Sequence, residues 1–275
     1  RRTRMNRRIT IICAVLFSSL AMLQAAEAGV VIVGSLTHEE EAASGESYQG
    51  VIFVRNPLEE PAEIKIYQTD YLFFSNGTSL YGQAGEVGRS NARWISFNPH
   101  RLIIPPREKS AVEYTVKVPQ DETLAGTYWS MLMVEEIPGS SPEASEPDKD
   151  EVELGIRQVM RYGIQMLTHI GDTGTRKIKF LDKKLISQEG KTILQMDIEN
   201  VGERWLTPSV WVELHNQGGG EVVRLEGGKR RIYPSCSARY RIDLTDVPKG
   251  SYKALVVADN GDEYVFGAKY DLGIQ

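Results

Sequence analysis

Cysteine is nearly missing from this chain. Its 275 residues hold two, Cys13 and Cys236. Cys13 lies in an apolar N-terminal run, and loss of that run would leave a single thiol and no internal disulfide. The fold must then be held by its cores, and a lone Cys236 is expected to pack as a small apolar residue within a strand. Histidine is also sparse. His38, His100, His169 and His215 are scattered, with no metal-ligand spacing among them. His38-Glu39-Glu40-Glu41 begins like a zinc-protease helix, but Ala42 stands where the second histidine is needed, so a solvated acidic loop is expected. There is no G-x-S-x-G elbow and no Cys/His pair with spacing that suggests a nucleophile. Gly82, Gly85 and Gly88 do not form a phosphate-cradling motif, and Asp148-Lys149-Asp150-Glu151 lacks the alternating ligands of a calcium loop. These absences argue against an enzyme and imply no cofactor and no metal. The four tryptophans, Trp94, Trp129, Trp205 and Trp211, are expected in cores or at their rims rather than as a sugar-stacking platform. No helical stripe of apolar residues runs through the chain beyond its first 28 residues.

The one long apolar run is Ile9 to Leu23, behind a basic cluster of Arg1, Arg2, Arg4, Arg7 and Arg8. Ala26-Glu27-Ala28 follows with small residues at both cleavage-box positions. Residues 1–28 therefore read as a secretory signal peptide cleaved before Gly29. The alternative is a retained membrane anchor, but a span needs about 20 residues and the run has fifteen. An exported protein, periplasmic or secreted, with no stable membrane anchor after cleavage is expected. The whole chain has a formal net charge of −5. Residues 29–275 hold 27 basic and 36 acidic residues, for −9. Such a balance does not suit nucleic acid or an anionic lipid surface.

A signature that occurs twice sets the architecture. The first copy runs Leu102-Ile103-Ile104-Pro105-Pro106, Ser110, Tyr114, Val118-Pro119, Gly126-Thr127-Tyr128. The second runs Arg231-Ile232-Tyr233-Pro234, Ser237, Tyr240, Val247-Pro248, Gly250-Ser251-Tyr252. Two copies of one strand–turn–strand unit imply two domains of one kind. Period-two alternation supports strands. Val112, Tyr114, Val116 and Val118 share one face, and Leu194, Met196 and Ile198 share another. The expected fold is all-β: two tandem immunoglobulin-like Greek-key sandwiches, at residues 29–170 and 171–275, with a hinge near His169 to Gly174. Each Gly-x-Tyr is expected to form a corner in which the Tyr128 or Tyr252 hydroxyl bonds backbone upstream.

Two segments break the strand pattern. Ser75 to Arg93 is rich in Gly, Ser and Asn and reads as a long surface loop. Residues 138–153, PGSSPEASEPDKDEVE, read as a mobile acidic loop inside the first domain, because a final strand from Val152 to Thr168 follows. That strand changes phase near Gln158-Val159. Its later part, Met160, Tyr162, Ile164 and Met166, is expected inside the sandwich. Its early part, Val152, Leu154 and Ile156, is expected along an edge. An apolar edge invites pairing with another chain, and strand-adding binders use that property. The alternative is that these three residues cover their own core.

The segment Thr127-Tyr128-Trp129-Ser130-Met131-Leu132-Met133-Val134-Glu135-Glu136-Ile137-Pro138 resembles the chaperone strand that ends in Glu-Ile-Pro in periplasmic pilus chaperones of the PapD type. By that resemblance the chain has two Ig-like domains and is a chaperone for an exported subunit or surface protein. Val152, Leu154 and Ile156 then fall where those chaperones complete a subunit's unfinished sandwich. Arg161 falls near the basic residue that anchors the subunit's C-terminal carboxylate. Gly163 occupies the position expected for that residue, and Gly29 to Leu36 carries no arginine for a second anchor. The first domain also resembles, through Trp94, Pro99, Pro105, Pro119 and the Gly126-x-Tyr128 corner, the tandem Ig-like surface proteins that work with WxL proteins. The function expected is non-catalytic capture of an exported protein by β-strand addition, in assembly of a pilus-like surface structure. The rival is a surface adhesion or structural module that binds through loops such as Ser75 to Arg93.

Overall fold

The computed structural model describes residues 29–137, 159–216 and 218–274. The expected signal peptide, the acidic loop 138–153 and Val152, Leu154 and Ile156 lie outside the described residues. Seventeen strands, numbered β1–β17 in chain order, make up the described architecture, with one short 3-10 turn at Ala92–Trp94. The fold is all-β, in two sandwiches.

The first sandwich faces two sheets. One has the order β1(Val31–Val33), β3(Ser47–Arg55), β8(Lys109–Lys117), β6(Ile95–Asn98). The other runs β2(Thr37–Ala42), β10(Arg161–Ile170), β9(Gly126–Glu136), β4(Ala62–Phe73), β5(Ser79–Gly82), with β7(Arg101–Ile104) also on β4. The second sandwich faces β11(Ile178–Gln188), β12(Lys191–Asn200), β15(Ser237–Asp243) against β14(Glu221–Lys229), β13(Ser209–His215), β16(Gly250–Asp259), β17(Val265–Ile274). Both are immunoglobulin-like sandwiches; in the second, the chain crosses between sheets from β12 to β13, from β14 to β15 and from β15 to β16.

Alternation decides which side chains form each core. In β8, Val112, Tyr114 and Val116 point inward and meet Ile52 and Val54 of β3. Ile64, Ile66, Leu132, Val134, Ile164 and Met166 close the core from the other sheet. In the second sandwich, Leu194, Met196 and Ile198 face Val210, Val212, Leu214 and Val256. Cys236 is fully buried in that core, and burial pushes its thiol up to about 12.

Three expectations need correction. His38 to Glu41 is not a loop but most of β2, which pairs in parallel with β10 from Thr37↔Gln165 to Ala42↔Ile170. Its acidic side chains could not reveal a strand whose stability comes from a partner some 130 residues away. Ser75 to Arg93 contains β5, which hairpins onto β4. The rest of that segment is held by Asp70, whose buried carboxylate accepts the N–H groups of Gly85, Glu86 and Val87 at 3.0, 2.8 and 2.7 Å and the Ser90 hydroxyl. The tyrosine corner forms in the second sandwich, where the Tyr252 hydroxyl donates to Pro248 O at 2.7 Å. Tyr128 instead lays its ring on Trp94 at 4.6 Å and beneath the Arg89 guanidinium at 5.2 Å.

The sandwiches meet through a dense contact. Trp129 of β9 is buried in the cluster of the second sandwich and packs 5.3 Å from Tyr233, which also meets Phe73 at 5.6 Å. The Tyr233 hydroxyl donates to the Gln165 side-chain oxygen. Thr127 N donates to Glu203 O at 2.9 Å. Gly126 sits at φ +76°, and a side chain there would start 2.3 Å from that same Glu203 oxygen. Only glycine permits this approach.

Candidate functional site

The first strand of the sandwich is divided between the two sheets. β1 pairs antiparallel with β3 in one sheet, and the chain then crosses to lay β2 beside β10 in the other. Gly34, at φ +107°, provides the backbone conformation for the crossing. The division has a consequence for β10. Along one side β10 pairs with β9 over its whole length, from Arg161↔Glu135 to Ile170↔Gly126. Along the other side β2 covers it only from Gln165 onward. Among the described residues, Arg161 to Ile164 therefore carry no strand on that edge.

The polarity of that bare edge follows from the ladder. Gln165 N donates to Leu36 O at 2.8 Å, on the β2 side. Glu136 N donates to Met160 O at 3.4 Å, on the β9 side. Peptide groups alternate in direction along a strand. Arg161 and Gly163 therefore direct their N–H and C=O toward the open side, and Tyr162 and Ile164 bond β9. The inward side chains at this edge are apolar: Ile164 is fully buried, with Tyr162 packed at the margin of the same core. An added strand would find backbone partners and an apolar core behind them.

On the outer face, Arg161 is exposed, and its Nε lies 2.7 Å from Glu135 Oε2. Glu135 also accepts from Lys65 Nζ at 2.9 Å and from the Tyr67 hydroxyl at 2.8 Å. These donors, Lys65 foremost, hold its carboxyl down to about 2 against the opposing effect of burial. The anchoring arginine suggested by the sequence thus already grips a carboxylate of its own chain. Next to it, Met131, Met133, Tyr67, Tyr81 and Gly163 line a shallow pocket of about 270 Å³. Gly163 has no side chain because Met131 fills its place: a Cβ there would lie 2.4 Å from the Met131 methyl.

Sequence reading placed Arg161, Tyr162, Ile164 and Met166 on the right strand. It missed Glu135 as the hub of the charged cluster and β2 as the cover of half the edge. Glu135 is some 70 residues from Lys65 and Tyr67, so only the β4–β9 register brings it to them. Gly34-Ser35 was a legible break in the first strand.

No family model matches the chain, and no curated protein does. Solved structures do. A chaperone–tip adhesin complex of CFA/I fimbriae biogenesis is similar over 89% of this chain and 98% of that one, at 14% identity and a TM-score of 0.48. The class 5 fimbriae chaperone CfaA is similar over 88% and 98%, at 14% identity and a TM-score of 0.47. The Escherichia coli chaperone DraB is similar over 90% and 96%, at 14% identity and a TM-score of 0.40.

Proposed function

We propose that this chain is an exported, non-catalytic chaperone-like protein that captures another exported protein by β-strand addition at the first sandwich. The observation that carries the reading is the stretch of β10 from Arg161 to Ile164, which pairs with β9 and, among the described residues, has no strand on its other side. An incoming strand gains main-chain bonds from Arg161 and Gly163, and the sandwich behind it supplies an apolar floor. Val152, Leu154 and Ile156, which lie outside the described residues, are the proposed apolar contacts, and Arg161 the polar one. The partner is an exported subunit or surface protein, the assembly a pilus-like surface structure, and the compartment the periplasm or the exterior.

The test is capture of exported partners by the tagged full chain, followed by mass spectrometry. Leu154→Glu with Ile156→Glu should abolish capture while the melting temperature stays unchanged. Undiminished capture by that variant would overturn the reading. A rival in which binding runs through loops has its own support: Leu80 and Tyr81 of β5 are exposed at 51% and 59%. Loss of capture on Leu80→Ser with Tyr81→Ser, but not on the edge substitutions, would favour it.

A further inference from the structure

A basic track runs along the second sandwich where it meets the first. One groove of about 550 Å³ lies between the β4–β5 turn and β15, with Arg230, Arg239 and Arg241 on one wall and Phe73 and Phe74 on the other. A second groove of about 430 Å³ is walled by Arg176, Arg204 and Lys229 beside Trp205. Arg231 borders both. The chain as a whole is acidic, with a formal net charge of −5. Yet among the described residues lining the two grooves, Asp262 is the sole carboxylate.

Some of this charge is already answered. Arg239 forks onto both oxygens of Asp197 at 2.8 Å, Arg231 lies 3.3 Å from Glu39, and Arg176 and Arg204 approach Asp172. Three cations are not. Arg241 bonds only the neutral Gln188 side chain, and Lys229 and Arg230 are exposed with no acidic partner among the described residues. The wall also holds a buried polar atom: the Thr207 hydroxyl makes no hydrogen bond among the described residues.

We propose that the two grooves form one docking track for an acidic, extended polypeptide segment of a partner protein. Arginine forks match side-chain carboxylates bidentately, and the aromatic walls of Phe73, Phe74 and Trp205 give apolar surface between the charges. The net negative charge of the rest of the molecule repels polyanions with charge at every step, which selects a segment of interspersed carboxylates over nucleic acid. The track is separate from the bare edge of β10 and does not depend on it.

The test is fluorescence anisotropy of the full chain with a labelled peptide that alternates glutamate and phenylalanine, beside the same peptide with glutamine for glutamate. The glutamate peptide should bind, weaken as salt rises, and lose about tenfold or more in affinity in the variant carrying Arg230→Glu and Arg241→Glu. Both residues are exposed, so the melting temperature should hold; the milder Arg230→Gln with Arg241→Gln serves if it does not. Leu154→Glu with Ile156→Glu should leave peptide affinity unchanged, which separates failure here from failure of the edge reading. Equal binding of the glutamine peptide, or indifference to both charge changes, would overturn the proposal. So would tighter binding of single-stranded DNA or of phosphatidylglycerol vesicles that the same charge changes remove.

Discussion

Asn56 and Asn200 do the same work in the two sandwiches. Each is fully buried at or just past the end of a strand. The Asn56 side-chain amide donates to Glu60 O at 2.6 Å and Ile104 O at 3.1 Å, and its oxygen accepts Leu58 N at 2.9 Å. The Asn200 amide donates to Arg204 O at 2.8 Å and Ile232 O at 3.0 Å, and its oxygen accepts Gly202 N at 2.9 Å. The short offsets, two and four residues onward, are identical, and Ile104 and Ile232 are the matching isoleucines of the repeated signature. Each asparagine ties the turn after its strand to the strand entering the second half of its own sandwich.

Replacing either asparagine by alanine removes at least three hydrogen bonds and strands buried carbonyls. A loss of about 2 kcal/mol or more is expected for Asn56→Ala and for Asn200→Ala, read from urea unfolding midpoints. Aspartate at either site should fare no better, because it has no N–H to donate. A loss below about 0.5 kcal/mol at both sites would contradict the shared bracing role.

Glu135 gives the first sandwich a defined acid sensitivity. Its folded carboxyl is held down to about 2, below the ordinary 4.5. A depressed carboxylate stabilises the fold fully above its unfolded value and loses that contribution as pH falls toward the folded one. Wild type should therefore lose more melting temperature than Glu135→Gln between about pH 4.5 and pH 2. Equal slopes for the two proteins in a series of pH-resolved thermal melts would refute this.

His169 sits in the contact between sandwiches. The Thr127 hydroxyl lies 2.9 Å from its Nδ1 and also accepts Trp205 N–H at 3.1 Å, while its Nε2 lies 2.9 Å from Glu39 Oε1. This network suits the neutral ring with the proton on Nε2. Burial lowers the pKa of His169, Arg204 and Arg231 act in the same sense, and Glu39 opposes them. A histidine kept neutral in the fold is destabilising once the unfolded chain takes up the proton. Stability should fall as pH drops below 6.5 and level off once the folded ring also titrates. The Trp205 ring stacks on His169 at 5.6 Å and 24°, so tryptophan emission should report that titration. In His169→Gln both the emission change and this part of the stability slope should vanish; persistence of either would remove His169 as the cause.

Cys236 should be inert. Burial raises its thiol to about 12 and removes it from solvent. In the native chain it should react with an aromatic disulfide reagent only at the rate of unfolding, and fully once denaturant is added. Rapid labelling without denaturant would show that the second core opens locally.

The fold was legible because its signals are local. Alternation in Ser110–Val118 and Thr192–Glu199 needs only one strand to be read, and the repeated Pro, Tyr and Gly-x-Tyr positions expose the second sandwich from the first. β2 was illegible for the opposite reason. Thr37–Ala42 is half glutamate and is a strand only because Gln165–Ile170 lies beside it. The Asn56–Asn200 pair did leave a trace, a buried-type polar residue at each strand end, but without register it looks like any turn asparagine. Of the candidate site, strand β10 was visible as an alternating series. Which of its residues lack a neighbour was not, since that depends on where β2 stops.

Composition and periodicity alone determined an all-β fold of two related sandwiches, with Cys236 placed in a core and no helical stripe beyond residue 28. These follow from side-chain alternation and turn chemistry, which act over a few residues. Tertiary structure alone decided the crossing of the first strand at Gly34, the edge at Arg161–Ile164 left uncovered among the described residues, the capture of Arg161 by Glu135, and the place of Arg231 in the lining of two basic grooves. Each of these depends on register between segments remote in sequence, and register is set by how the two sheets of a sandwich close on each other.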